Sequence, residues 1–194
     1  MDIQKYVSEG LIAFIPVYVD MKGNCTLLYT FHDKAYVDKN LRSVLNLLAK
    51  YFFLDLKESR KYLGGLLNIK NLVPIPFNKE NIFIPVKIRK PYFKNDGATG
   101  YININSIDKL ERQESKTLIY LKGNHKILCL NSLETANKHV KNGHIVKKLI
   151  ESNRGYSCTI RENISFYNEY DKPATKGDIA LLRKEITDIR SVFY

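Results

Sequence analysis

The chemistry that the sequence offers most clearly is the binding of a polyanion. Between residues 57 and 94, nine lysines and arginines stand against two acidic residues, which leaves +7 of the chain's net charge of +11 in about a fifth of its length. Such a cationic section favours nucleic-acid phosphates, because binding releases their counterions. For any single lysine the alternative is a solvated surface residue. We predict DNA contacts from seven members of this section: Lys57, Arg60, Lys61, Lys87, Arg89, Lys90 and Lys94.

A second interpretation of the charged residues is a metal-dependent nuclease. Asp96, Glu114 and Lys116 form an Asp…Glu-x-Lys series, in which two carboxylates would hold Mg²⁺ and the lysine would help to activate water. Such a string arises easily by chance in a chain with 26% charged residues. Residues 109–116 are more simply explained as a solvated helix end and turn. We therefore expect a non-enzyme, with the nuclease and an adaptor protein that contacts no DNA as alternatives.

Other patterns that carry chemistry are missing from the sequence. His139 and His144 are five residues apart, which fails the helical spacing of zinc ligands, and no phosphate-binding glycine motif is present. We expect neither a metal site nor a cofactor. The cysteines are odd in number and scattered, which favours a reducing compartment over a disulfide framework: Cys25, Cys129 and Cys158.

Targeting signals are also missing. The first residues lack a signal-peptide pattern, and the apolar run 11–19 is too short to span a membrane. We expect a cytoplasmic, nucleoid-associated protein without membrane contact.

An α+β fold must position the basic residues. The 194 residues fit a DNA-binding domain over residues 1–155 and a helical extension over residues 156–194. We predict a mixed or antiparallel sheet, packed helices and a C-terminal helix. In the N-terminal part, alternation and turn residues predict strands at 11–19, 25–31 and 35–37.

Two helices should follow these strands. Apolar residues at helical spacing predict a helix over residues 40–53, capped by Asp38 or Asn40. Asp55 should cap a second helix that ends at Gly64 and Gly65 and carries a basic stripe.

A two-stranded ribbon, residues 82–90 and 99–104, should present the central cations. Alternation places Lys87 and Arg89 on the same face, roughly 7 Å apart. The tip carries Tyr92 and Phe93 beside further cations. A basic ribbon with an aromatic tip is one of the shapes that enter a DNA groove. Before it, the proline-rich residues 73–76 should form an edge or an extended crossover.

The remaining segments are predicted from their periodicity. Strands are expected at 117–122 and 126–130, and a helix at 132–152 that Gly143 could interrupt. After Pro173, an apolar stripe from Ile179 to Phe193 repeats at helical spacing. That helix should either dock on its own domain or pair with a second copy of the chain.

Several short motifs follow one another along the first half of the chain. Phe52-Phe53 precedes Arg60-Lys61 by six residues, and Val73-Pro74-Ile75 and Ile82-Phe83-Ile84-Pro85 follow. Tyr6-Val7-Ser8-Glu9-Gly10 leads into the first hydrophobic strand. Over residues 6–130 this pattern resembles the competence transcription factors of the ComK family. The chain departs from the family in having no tryptophan, in residues 95–101 where the family has a Pro-x-Cys-x-Trp-like step, and in lacking the C-terminal adaptor-binding motif.

The resemblance implies a transcriptional activator of DNA-uptake genes. It would bind AT-rich double-stranded DNA through the minor groove, as a homo-oligomer made of a dimer or a pair of dimers. Members of the family are also delivered to a Clp protease by an adaptor. By position, Arg60-Lys61 matches the family's Arg-Lys step, and Phe83 and Pro85 match its Phe-Pro strand.

Overall fold

The structure, a computed structural model, describes residues 2–93 and 96–152. The chain divides into two units, Met1–Tyr156 and Ser157–Tyr194, and every described residue belongs to the first. Its helices are α1 (Ile3–Ser8), α2 (Leu41–Tyr51), α3 (Leu56–Leu67) and α4 (Leu133–Ser152). Its strands are β1 (Leu11–Val19), β2 (Gly23–Thr30), β3 (Lys34–Val37), β4 (Ile75–Pro76), β5 (Ile82–Lys87), β6 (Thr99–Asn103), β7 (Ile107–Gln113), β8 (Lys116–Leu121) and β9 (His125–Cys129).

Six strands form one antiparallel sheet in the order β3-β2-β1-β6-β5-β4. The short strand β4 lies at an edge, as the prolines of residues 73–76 predict, because a proline has no amide to donate to a further neighbour. β5 and β6 are the predicted ribbon. They do not project as a free pair, because β4 and β1 flank them on either side.

Two hydrophobic cores lie on opposite faces of this sheet. On one face, Leu45 and Leu48 of α2 pack with Phe14 and Phe83. On the other, Ile84 packs in a core that includes residues of α4 and of the three-stranded antiparallel sheet β7-β8-β9. Strict alternation along β5 supplies both cores, since neighbouring side chains of a strand point to opposite faces. The predicted α+β class, with antiparallel sheets and packed helices, is confirmed.

The two predicted helix caps are present. The Asn40 side chain accepts a hydrogen bond from the Ser43 amide at 2.9 Å, and Asp55 accepts from the amides of Lys57 and Glu58 at 2.8 and 3.0 Å. The predicted end of α3 at the glycines is wrong. The helix continues to Leu67, and Asn68 ends it in the left-handed conformation, which asparagine tolerates well.

Two short elements lie outside the predictions. Residues 109–116 are not a helix end: most of them form β7, whose outer half is solvent-exposed and lacks an apolar alternation. The N-terminal helix α1 has no buried residue. Exposed, polar segments of this kind carry little periodic signal, because only burial imposes one.

Gly143 does not interrupt α4. The helix runs unbroken over 20 residues, and a Cβ atom at Gly143 would lie 2.6 Å from the Cγ2 atoms of both Ile84 and Ile104. The glycine therefore allows a close approach of helix to sheet. The predicted helix within residues 156–194 lies outside the described residues.

Candidate nucleic-acid interface

Arg60 and Lys87 approach the same face of the six-stranded sheet. Pro85 pairs with Tyr101 across β5 and β6, and Lys87 follows two residues later on the same side of β5. From α3, Arg60 Nη2 donates a hydrogen bond to the Tyr101 hydroxyl at 3.2 Å. Burial raises the pKa of Tyr101, and the nearby charge of Arg60 lowers it in part. This contact brings the Arg60 guanidinium to the face of the sheet that carries Lys87, whereas Leu63, one turn further along α3, belongs to the core on the opposite face.

The other predicted cations of α3 are free to meet a ligand. Lys57 and Lys61 are both exposed. Lys61 lies 4.0 Å from Glu58, but such an exposed pair contributes little. Lys57, Lys87 and Lys90 form no ion pair within residues 2–93 and 96–152. Their ammonium groups remain available to phosphates.

Arg89 behaves differently from Lys87, although both were predicted to project together. Its Nε donates to the Gly97 carbonyl at 2.9 Å, and its Nη2 donates to Asn24 Oδ1 at 2.6 Å. Its guanidinium carbon lies 3.8 Å from the centre of the Tyr18 ring. The side chain is half-buried and directed into the protein. Arg89 therefore ties the β5–β6 loop to the end of β1 and the start of β2.

A second set of contacts holds the tip of this loop. The Tyr18 hydroxyl donates to Asp96 at 2.6 Å and accepts from the Tyr92 amide at 2.9 Å. The Tyr18 and Tyr92 rings are 4.5 Å apart between centroids. Tyr92 and Phe93 nevertheless remain 78% and 72% exposed, and Lys90 beside them is exposed. The tip thus offers two aromatic rings and a cation to solvent, while Lys94 lies outside the described residues.

These anchors had no signal in the sequence. Asn24 and Arg89 are separated by 65 positions, and neither residue type nor spacing marks the pair. Tyr18 was predicted as part of a buried strand, without a partner. Only the pairing of β1 with β6 brings the ends of these strands together.

The predicted nuclease residues are not brought together. Asp96 accepts hydrogen bonds from Tyr18 and Asn24. Tyr18 points to one face of the six-stranded sheet, and its neighbour Val17 packs in the core on the other face. Glu114 lies in the turn between β7 and β8, in the sheet that packs on the Val17 side. Among the described residues, no group of three His, Cys, Asp or Glu side chains could hold a metal ion.

Another cationic surface lies on α4 and was overlooked in the sequence. Lys138, Lys141 and Lys148 are all exposed. A helical projection of the predicted helix 132–152 would have placed them on one side, since 3.6 residues complete a turn. In the part of the chain that the structure describes, no helix has the length and apolar character needed to cross a membrane.

No protein-family model, curated protein or solved structure matches this chain. The likeness to the ComK family therefore stays a prediction.

Proposed function

We propose that this protein binds duplex DNA through a surface that we call the cationic face. It consists of the exposed cations of α3 and of the β5–β6 ribbon with the aromatic tip beside them: Lys57, Arg60, Lys61, Lys87, Lys90, Tyr92 and Phe93. The observation that carries the proposal is the contact of Arg60 with Tyr101, because it places the Arg60 guanidinium on the same face of the sheet as Lys87.

Charge and composition both favour a nucleic-acid ligand. The cationic face draws on the section that holds most of the chain's net positive charge, and phosphate contacts dominate the affinity of proteins for DNA. Exposed aromatic rings beside cations suit binding in a groove of duplex DNA, where large apolar side chains are inserted between base steps. Arg60 is the one arginine of the face, and arginines enter narrow AT-rich minor grooves, whose negative potential is enhanced.

The biological role within this proposal is that of a transcriptional regulator in the cytoplasm and nucleoid. Activation of competence genes at AT-rich sites, assembly into dimers and delivery to a Clp protease rest on the ComK resemblance alone. A comparison of AT-rich and GC-rich duplexes of equal length tests the minor-groove part separately.

The direct test is a salt titration of DNA binding by fluorescence anisotropy. The variant Lys87→Ala with Lys90→Ala removes two cations of the face. It should flatten the slope of log affinity against log salt by about 1.8, since each lost phosphate contact contributes about 0.9. The matched control is Lys5→Ala with Lys34→Ala. This control removes the same charge at the other end of the β1–β2 hairpin, because Lys5 precedes the start of β1 and Lys34 pairs with Tyr29 near the end of β2. It should leave the slope within error.

Two results would contradict the proposal. Equal slopes for both variants would place the DNA elsewhere on the molecule. Absence of salt-dependent binding by the unmodified chain would favour the adaptor interpretation. Incubation with plasmid and Mg²⁺ addresses the nuclease, because cleavage that Asp96→Ala abolishes would establish an enzyme.

A further inference from the structure

The exposed side of α4 is a second cationic surface. Lys138, Lys141 and Lys148 lie within about 80° of the helix circumference and span about 15 Å along its axis, at 3.6 residues per turn and 1.5 Å per residue. Between Lys138 and Lys148 the helix has no acidic residue, and Glu134, one turn earlier on the same side, is paired with Arg112 of β7. These three lysines form no ion pair among the residues described.

The orientation of this surface is fixed by the opposite side of α4. Ala136 and Val146 are fully buried and belong to the core shared with β5 and the three-stranded sheet. Lys147, unlike the three exposed lysines, donates to Asn105 Oδ1 at 2.7 Å. The three exposed lysines therefore point away from the six-stranded sheet.

The strand part of the cationic face, with Lys87, and the α4 lysines lie on opposite sides of that sheet. Along β5, Ile84 faces the core beneath α4, whereas Phe83 faces the core beneath α2. Lys87 shares the side of Phe83 by alternation. A straight duplex that contacts Lys87 thus runs past the side of the sheet remote from α4. Reaching both surfaces would require it to bend around the domain, which is costly for a short stiff duplex.

We propose that the protein bridges two DNA duplexes, one on the cationic face and one on the α4 lysines. This inference rests on the proposed DNA binding and adds to it a second site and a mode of action. A protein that holds two segments at once can loop or align DNA, in addition to occupying a site.

The chemistry of the α4 surface favours DNA over two other anionic partners. The cores of protein interfaces are depleted in lysine and enriched in aromatic residues, and this surface has three lysines and no aromatic ring. Helices that lie in a membrane surface need an exposed apolar stripe. Here Ile145, at 38% exposure, is the single large hydrophobic residue of α4 that is exposed.

Bridging is tested by capture of a second duplex. One duplex is immobilised on beads, the protein is bound, and retention of a free labelled duplex is measured. The test variant carries Lys138→Gln, Lys141→Gln and Lys148→Gln, because glutamine matches lysine in helix propensity. It should bind a single duplex within about threefold of the unmodified affinity, yet capture at least tenfold less of the second duplex. The control variant Lys5→Gln with Lys34→Gln should capture normally, and far-ultraviolet circular dichroism verifies the fold of each.

The outcomes separate this inference from the proposed function. If the unmodified chain binds one duplex but retains no second one, bridging is refuted and DNA binding stands. If capture persists undiminished in the α4 variant, as it would when two copies of the chain pair, the α4 site is refuted. If the unmodified chain binds no duplex, both proposals fail.

Discussion

Gly143→Ala should destabilise the fold although it improves the intrinsic helix propensity of α4. The added methyl group would lie 2.6 Å from the Cγ2 atoms of Ile84 and Ile104, whereas carbon atoms in favourable contact are about 3.5–4.0 Å apart. Both isoleucines are buried, and β-branched side chains have few alternative rotamers. The helix must therefore move outward by about 1 Å.

The expected size follows from two opposing effects. Overpacking of a core costs about 1–3 kcal/mol, and alanine is better than glycine in a helix interior by about 0.8–1.0 kcal/mol. We expect the upper part of the cost, because contacts from two different elements have to relax together. The free energy of unfolding should fall by about 2 kcal/mol, measured by urea denaturation with far-ultraviolet circular dichroism.

Gly65→Ala is the matched control in another helix. A Cβ atom at Gly65 of α3 would meet nothing within 4 Å, so this variant should keep the propensity gain of about 1 kcal/mol. The two substitutions are chemically identical and should have opposite signs. If Gly143→Ala proves as stable as the unmodified chain, α4 does not approach the sheet as closely as described.

Two further predictions concern Arg89 and His139. Arg89→Ala should release the β5–β6 loop, which lowers the free energy of unfolding by about 1–2 kcal/mol and exposes the loop to limited proteolysis. The salt slope of DNA binding should change less than in Lys87→Ala. A loop that stays resistant to the protease would argue against the anchoring role. His139 is buried, with no hydrogen-bond partner for either ring nitrogen among the described residues. Burial, aided by Lys138, lowers its pKa, so the unfolded state takes up the proton first and stability should fall as pH drops through about 6.5. His139→Leu should weaken this dependence when melting temperatures at pH 7.5 and 5.5 are compared, and an unchanged difference would assign it to other groups.

Local pattern was sufficient for the elements that bury one face or carry a cap. β1 and α2 follow from apolar periodicity, and Asn40 and Asp55 were identifiable as caps because a cap bonds amides two or three residues away. Alternation along β5 also predicted that Phe83 and Lys87 share a face. Each of these inferences needs no information beyond neighbouring residues.

The use of those residues depended on tertiary structure. Asn24 and Tyr18 reach Arg89 only because β1 pairs with β6, and this turns a predicted DNA contact into an anchor of the loop. Likewise, the predicted ribbon became the interior of a sheet when β4 and β1 paired with its two strands.

The sequence by itself determined the positive charge, the α+β class and the section in which cations concentrate, because composition and local periodicity follow directly from the order of residues. Only the tertiary structure decided which cations remain free and which sides of the sheet they occupy. The reason is that a strand's alternation defines two faces, but contacts between distant segments decide what covers each of them. Gly143 shows the same division: its residue type suggested an interruption of α4, and the isoleucines across from it gave it a packing role.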